Sequence, residues 1–168
     1  DVAVCAQALL ERHGLSRVAI VDTDAHQGNG TMDIFYDRAD ILFISLHQDP
    51  STLYPGRGFT HETGSGEGQG YTVNVPMPTF STATEYRMAF DQIVDPILRA
   101  FRPQVIVRNG GSDPHNRDDL TRLGLDLAGL HWMAGRVSAM ASELGAGQVD
   151  MTISGYGPMT VPGWLALM

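Results

Sequence analysis

Apolar residues along the chain follow two repeating patterns, short aliphatic runs and helical spacing. The aliphatic runs are typical of strands buried in a parallel sheet. Five strands are predicted, at 17–22, 41–46, 71–75, 104–108 and 150–154. Four helices are predicted, at 1–13, 31–37, 82–101 and 124–144. This alternation of strands and helices indicates βαβ units, and therefore an α/β fold with a mostly parallel sheet.

Glycine and proline refine these boundaries. Gly14 is expected to end the first helix, and Pro76 to end the strand at 71–75. Pro96 lies inside the predicted helix at 82–101 and is expected to kink or divide it. Residues 48–70 are rich in glycine and proline and are predicted to form a long loop, which in a compact domain is usually functional or disordered.

Composition and charge narrow the classes of function. The chain has 168 residues, enough for one domain with a core, and its net charge of -8 disfavours nucleic acid and anionic membranes as partners. Cys5 is the only cysteine, which excludes an intramolecular disulfide and favours the cytoplasm. No apolar run has the length of a membrane span. Because both ends cut into predicted structure, residues 1–168 are interpreted as a single partial domain.

The first strand leads directly into candidate metal ligands. Asp22, Asp24 and His26 alternate along the chain, so their side chains can share one face. Carboxylate and imidazole groups suit a divalent metal of borderline softness, above all zinc. Gly28 and Gly30 are expected to let the backbone turn sharply beside this site.

Two later segments offer partners for that site. Asp113 follows the fourth strand, and taken alone it is equally well the first residue of a helix after a glycine turn or a metal ligand. Because a catalytic zinc site takes three protein ligands, Asp113 is the leading candidate for the third ligand beside Asp24 and His26, and His115 is a weaker alternative. Tyr156 lies between two glycines, where a loop anchor is slightly favoured over a hydroxyl that stabilises an oxyanion.

Two other motifs resemble known catalytic or phosphate-binding sequences but lack features that those sequences require. The glycine-rich segment 64–70 lacks the lysine of a phosphate-binding loop and precedes a strand, so it is interpreted as a flexible loop. Ser45 and His47 lie on a strand without a nucleophile elbow, which favours a structural or ion-binding role.

Six of these motifs, in this order, resemble the zinc-dependent histone deacetylase superfamily, which includes bacterial acetoin-utilisation proteins and acetylpolyamine amidohydrolases. The matching segments are VDTDAHQGNGT at 21–31, ISLH at 44–47, YPGRG at 54–58, GYTVNVP at 70–76, GGSD at 110–113 and GY at 155–156. The resemblance implies a three-layer α/β/α fold like that of arginases and deacetylases, truncated on its N-terminal side.

The resemblance also implies roles for individual residues. Zinc, or ferrous iron in the cell, would be held by Asp24, His26 and Asp113. Tyr156 would stabilise the tetrahedral intermediate, and Asp22 would orient a catalytic histidine. The other implied positions are a structural potassium site at Asp22, Ser45 and Leu46 with backbone oxygens of residues 24 and 26, a second monovalent site at Phe35 and Tyr71, and a substrate tunnel at Tyr54, Leu120 and Gly155.

The chain departs from the family pattern at three places. It has Gln27 where many relatives have a second histidine, and Ser154-Gly155 where two glycines usually precede the tyrosine. The tandem histidines that serve the family as general base would lie upstream of Asp1.

The resemblance therefore predicts an amidohydrolase that removes an acetyl or short acyl group from an N-acylated amine, such as acetyl-lysine or an acetylpolyamine. Two alternatives stay open: a metal-binding remnant with little amidase activity, and an esterase-like hydrolase of activated esters. An arginase-type hydrolase would need a two-metal cluster richer in Asp and His. A homo-oligomer that covers the truncated sheet is a further expectation.

Overall fold

Five parallel strands form one sheet in the computed structural model, which describes residues 1–168. The strands are β1 (Val18–Asp22), β2 (Ile41–Gln48), β3 (Thr72–Met77), β4 (Val105–Gly110) and β5 (Gly147–Thr152). The helices are α1 (Val2–His13), α2 (Asn29–Ile34), α3 (Ala83–Ala89), α4 (Asp95–Phe101), α5 (Leu127–Leu144) and α6 (Thr160–Ala166). The strand order is β3-β2-β1-β4-β5, which places β1 at the centre.

Alternate residues of β1 enter two different cores, one on each face of the sheet. Ala19 and Val21 belong to the larger core, which α3, α4 and α5 cover. Val18 and Ile20 belong to the smaller core, which α1 and α2 cover. Because apolar side chains are buried on both faces, the central strands are almost entirely hydrophobic. The predicted three-layer α/β/α arrangement is confirmed.

The register of the parallel strands brings their carboxyl ends to one edge of the sheet. Asp22 at the end of β1 is level with Ser45 on β2 and with Asn109 on β4. Segments that leave β1 and β4 therefore start side by side, as is usual where sites form in open α/β sheets.

The predicted helix at 82–101 is divided, as its proline suggested. A π-helical segment at Phe90–Val94 separates α3 from α4. Pro96 is the second residue of α4 and lies just after this wider π-helical turn, and proline commonly accompanies an irregularity inside a helix. Gly14 also ends α1 as predicted, in a left-handed conformation with a φ of 64°.

The prediction that Pro76 ends a strand is wrong. Strand β3 continues through Pro76, which is level with His47 on β2, and ends at Met77. An edge strand tolerates proline because only one of its two sides carries ladder hydrogen bonds. The second strand is longer than predicted for the related reason that β2 lies between two strands and stays paired with β3 up to Gln48.

Other boundaries differ at the ends of elements. Helix α2 begins two residues before the predicted 31–37 segment, and α5 begins at Leu127, where the Asp126 carboxylate caps it by accepting a hydrogen bond from the Gly129 N–H at 2.7 Å. Strand β5 begins at Gly147, level with Val105, and not at the predicted residue 150. Beyond the end of β5, the Ile153 N–H donates to the carbonyl of Gly110, the last residue of β4, and the Ser154 carbonyl accepts from the Ser112 N–H.

Helix α6 was not predicted, because its sequence TVPGWLA contains a Pro-Gly pair that is typical of a turn. None of the helices combines the length and the apolar character that a membrane span requires.

Candidate metal centre

The two segments that leave β1 and β4 are held together by hydrogen bonds from backbone N–H groups. The Thr23 N–H donates to the Asn109 carbonyl at 2.8 Å, and the Ala25 N–H donates to Oδ1 of Asp113 at 3.2 Å. These bonds fix the turn after β1 against the turn after β4. Asp24 and His26 thereby face Asp113.

Asp24, His26 and Asp113 form a candidate metal-binding group. They are the only three residues of the types His, Cys, Asp or Glu whose candidate ligand atoms all lie within 4.8 Å of one another. Nδ1 of His26 lies 2.9 Å from Oδ2 of Asp113 and 3.2 Å from Oδ1 of Asp24. Asp113 is fully buried and Asp24 is 9% exposed. The structure thus brings together the three residues predicted as ligands, whereas His115 stays apart and accepts a hydrogen bond from the Arg117 N–H.

Burial and mutual contact shift the pKa of each member of this group. Hydrogen bonds with Asp113 and then Asp24 raise the pKa of His26 to about 10, against the effect of burial. Burial raises the pKa of Asp113 to about 6. Burial acts in the same direction on Asp24, but hydrogen bonds from His26 and Ser154 outweigh it and the pKa of Asp24 is lowered.

This donor set fits a divalent metal ion. Two buried carboxylates face each other across one imidazole, and a divalent cation balances charges that burial would otherwise leave costly. Two oxygens and one nitrogen are ligands that zinc accepts, and three protein ligands are the usual number in a catalytic zinc site. The identity of the ion stays a prediction.

Asp22 holds the backbone of Asp24 in place. Its Oδ1 accepts hydrogen bonds from the Asp24 N–H at 3.1 Å and from the Asn109 side chain at 3.0 Å. Burial, and next the charge of Asp24, raise the pKa of Asp22 well above its usual value. A Cβ on Gly28 would lie 2.6 Å from Oδ2 of Asp22, so this glycine permits a close approach.

The predicted sharp turn is present at Gly28, where the Asn29 N–H donates to the Gln27 carbonyl at 2.9 Å, but not at Gly30. Neither residue has a positive φ. Gly30 lies within α2, and a Cβ there would contact nothing within 4 Å.

A cavity of about 350 Å³ opens above the metal group, and His26, Tyr54, Ser154 and Tyr156 are among the ten residues that line it. The ring of Tyr156 meets the ring of His26 edge-on, with 6.0 Å between centroids. Burial, and next the charges of Asp113 and Asp24, raise the pKa of Tyr156, so its phenol stays protonated and can donate a hydrogen bond.

Of the three residues predicted to form the substrate tunnel, only Tyr54 lines this cavity. Tyr54 lines the cavity but is 76% exposed, which puts it at the rim. Gly155 has a φ of 142°, and a Cβ there would overlap the side chain of Ser112. Leu120 is exposed and does not line the cavity, although its N–H and that of Tyr156 both donate to the carboxylate of Asp118.

The residues of the two predicted monovalent cation sites have different surroundings. Asp22 and Ser45 are neighbours across β1 and β2, followed by Leu46, and the Ser45 hydroxyl contacts Nδ1 of His47 at 2.9 Å. Phe35 is buried in the smaller core, while Tyr71 packs edge-on against Phe101. Cation binding at both places stays a prediction.

Sequence reasoning missed two residues of the centre. Asn109 holds Asp22, and its position at the end of β4, level with Asp22, was the signal that could have found it. Ser154 donates a hydrogen bond from its hydroxyl to Oδ2 of Asp24. Nothing in the local sequence indicates this contact, since 130 residues separate the two.

The chain resembles known proteins over nearly its whole length. The family profile described as the histone deacetylase domain matches residues 1–164. A probable deacetylase of Archaeoglobus fulgidus is 41% identical over 155 residues, covering 92% of this chain and 42% of that protein. The acetoin utilization protein AcuC of Staphylococcus xylosus is 34% identical over 151 residues, covering 90% of this chain and 39% of that protein.

Solved structures show the same likeness. The crystal structure of acetylpolyamine aminohydrolase from Burkholderia pseudomallei superposes with a TM-score of 0.89 and 34% sequence identity, covering 99% of this chain and 47% of that one. The chain therefore spans less than half the length of the relatives it matches.

Proposed function

Because the chain belongs to the histone deacetylase family, we propose that it carries the metal centre of a zinc-dependent amidohydrolase. The reaction is removal of an acetyl or short acyl group from an N-acylated amine, such as acetyl-lysine or an acetylpolyamine. The observation that carries the proposal is the group of Asp24, His26 and Asp113 within 4.8 Å, with a tyrosine beside it.

Each residue has a part in this chemistry. Asp24, His26 and Asp113 would hold the ion, and Asp22 would keep the Asp24 backbone in place through the hydrogen bond at 3.1 Å. A zinc ion held there would supply a Lewis acid that polarises an acyl carbonyl and makes water a better nucleophile. The hydroxyl of Tyr156 would donate a hydrogen bond to the oxygen on which negative charge develops.

The cavity suits a polar acyl amide. The amide oxygens of Gln27 and Asn109 are buried beside it without a hydrogen-bond partner in the protein. The net charge of -8 is compatible with a substrate that yields a cationic amine, and it disfavours nucleic acid as a direct partner. We place the reaction in the cytoplasm on the argument from the single cysteine.

Hydrolysis of activated esters is the second candidate, and one observation favours it. Of the six histidines in the chain, only His26 lines the cavity. As a metal ligand, the His26 imidazole would not be available as a base. No second imidazole of this chain stands there to move the proton of the attacking water. An activated ester needs less of this help than an amide, because its leaving group departs without a proton.

The experiment that tests the proposal measures acetate release by the purified protein loaded with zinc. The substrates are an acetyl-lysine peptide and N-acetylputrescine, with 4-nitrophenyl acetate as the activated ester. Release from an amide that disappears in Asp113→Asn supports the amidohydrolase. Release from the ester alone, also lost in Asp113→Asn, supports the second candidate.

Two outcomes contradict the proposal. Activity that survives Asp113→Asn would show that the chemistry takes place elsewhere. A protein that binds one zinc ion and turns over neither class of substrate would be a metal-binding remnant.

A further inference from the structure

Ser154 contacts the metal centre from a segment that carries none of the proposed ligands. It follows β5 and directly precedes Gly155 and Tyr156. Its hydroxyl donates to Oδ2 of Asp24, and a Cβ on Gly111 would overlap that hydroxyl. Gly111 therefore leaves the space that the serine side chain occupies.

The contact completes the support of one carboxylate. Oδ1 of Asp24 accepts a hydrogen bond from the backbone N–H of His26 at 2.7 Å, and Oδ2 accepts from Ser154. Oδ1 also lies 3.2 Å from Nδ1 of His26, whereas Ser154 is the partner of Oδ2. With a donor on each oxygen, the Asp24 carboxylate is held against rotation about its terminal bond. Ser154 is the only hydroxyl that donates to a carboxylate of the group.

The backbone around Ser154 is fixed without its hydroxyl. The Ser154 carbonyl accepts hydrogen bonds from Nε1 of Trp164 at 2.7 Å and from the Ser112 N–H at 2.9 Å. The Ile153 N–H donates to the Gly110 carbonyl at 3.1 Å. Removal of the Ser154 hydroxyl therefore leaves the path of the chain in place and takes away only the contact with Asp24.

We propose that Ser154 is a positioning residue whose hydroxyl fixes the Asp24 carboxylate and thereby strengthens the binding of a divalent metal ion. The proposal rests on the proposed function in one respect, that Asp24 is a ligand. A ligand already held in its binding orientation loses less freedom when the ion arrives, and partners of this kind typically change metal affinity by roughly 10- to 100-fold.

The test compares Ser154→Ala and Ser154→Gly with the wild-type protein. Zinc affinity is measured by competition with a chromophoric chelator, and zinc loss by transfer into excess chelator. Both variants are expected to bind zinc roughly 10- to 100-fold more weakly and to lose it faster. Their thermal unfolding midpoints in the presence of chelator are expected to match the wild type, a result that a merely structural role would not give.

Ser112→Ala is the matched control. Ser112 is a buried serine whose hydroxyl lies 3.5 Å from the Ser154 carbonyl and contacts no proposed ligand, so wild-type zinc affinity is expected. A zinc affinity of Ser154→Ala within twofold of the wild type would overturn the proposal. So would a loss in Ser154→Gly that Ser154→Ala does not share, because the backbone and not the hydroxyl would then be responsible.

A further variant separates this inference from the proposed function. If Asp24→Asn binds zinc as tightly as the wild type, Asp24 is not a ligand and both proposals fail. If the wild type binds zinc through Asp24 but releases no acetate, the proposed function fails while a weakened Ser154→Ala still supports the role of Ser154.

Discussion

Nδ1 of His26 lies 2.9 Å from Oδ2 of Asp113, although 87 residues separate the two along the chain. The contact joins the turn after β1 to the turn after β4, and it exists because these two strands are neighbours in the sheet. It also ties the charge of the imidazole to that of a buried carboxylate. A proton and a metal ion would therefore compete for the same atoms of the centre.

Zinc binding is expected to release about one proton at pH 7.5. Asp113 and Asp24 raise the pKa of His26 to about 10, so the imidazole of chelator-treated protein is protonated at this pH and must lose a proton to become a ligand. Calorimetric titrations with zinc in buffers of different ionisation enthalpy measure the number released. A binding enthalpy that is the same in every buffer would contradict the expectation.

Tyr156→Phe is expected to lower kcat by roughly 100-fold for whichever substrate the zinc-loaded protein turns over, because one donor to the developing negative charge is removed. The zinc content should stay at the wild-type value, since the phenol is not among the three grouped ligands. Steady-state kinetics and metal analysis test both parts. Tyr36→Phe, in a side chain packed against the smaller core, is the matched control, and an equal loss of activity there would count against the oxyanion role.

His47 is expected to make the fold sensitive to acid. It is fully buried, with Nδ1 against the Ser45 hydroxyl and Nε2 3.0 Å from the Gly58 carbonyl. Burial lowers the pKa of His47 below its ordinary value. Its contribution to stability is therefore complete above the unfolded pKa of about 6.5 and declines as the pH falls below that value.

Urea unfolding at pH 7.5 and at pH 5.0 tests this expectation. The stability advantage of the wild type over His47→Gln should shrink at the lower pH. The exposed His13 offers the control, since His13→Gln should follow the wild type at both pH values. An advantage over His47→Gln that does not change with pH would show that His47 does not cause acid sensitivity.

Asp150→Ala is expected to destabilise the fold more than loss of an exposed ion pair. The guanidinium of Arg108 on β4 is buried, and its charged partner is Asp150 on β5, which is 44% exposed. Removal of Asp150 leaves that charge unbalanced, at an expected cost of about 2 kcal/mol, less than for a fully buried pair. Asp40→Ala, which breaks a partly exposed pair with Arg38, should cost less than about 1 kcal/mol. Urea unfolding measures both, and equal losses would contradict the prediction.

The parts of the fold that the sequence predicts are those that hydrophobic spacing controls. The aliphatic residues of β1, β2 and β4 are buried on both faces, so their pattern is unambiguous. Element ends were less predictable because pairing decides them, as at Pro76 on the edge strand. Helix α6 was not predicted because Pro162 and Gly163 are typical of a turn. In the structure Gly163 is buried, and a Cβ at this position would overlap Ser112.

The candidate site also has a part that local sequence predicts and a part that depends on strand pairing. Asp22, Asp24 and His26 are close in sequence and follow one strand, so their association is local. Asp113 joins them only because β4, and not β3, lies beside β1, and hydrophobic patterns do not encode strand order. The three protein ligands usual in a catalytic zinc site favoured Asp113, and the resemblance to deacetylases implied the same role. The contact of Ser154 with Asp24 joins residues that are 130 positions apart, and only the structure reveals it.

The central position of β1 also determines when, during folding, the three proposed metal ligands first come together. Strands β2 and β3 intervene in sequence before β4 can take its place beside β1. Closing that long loop is among the slower kinds of step available to a chain, since its ordering cost precedes the contacts that stabilise it. A refolding molecule would therefore gain its full set of three ligands only once the middle of the sheet is assembled. Binding of a metal ion would therefore indicate that β4 has paired with β1 in the correct strand order.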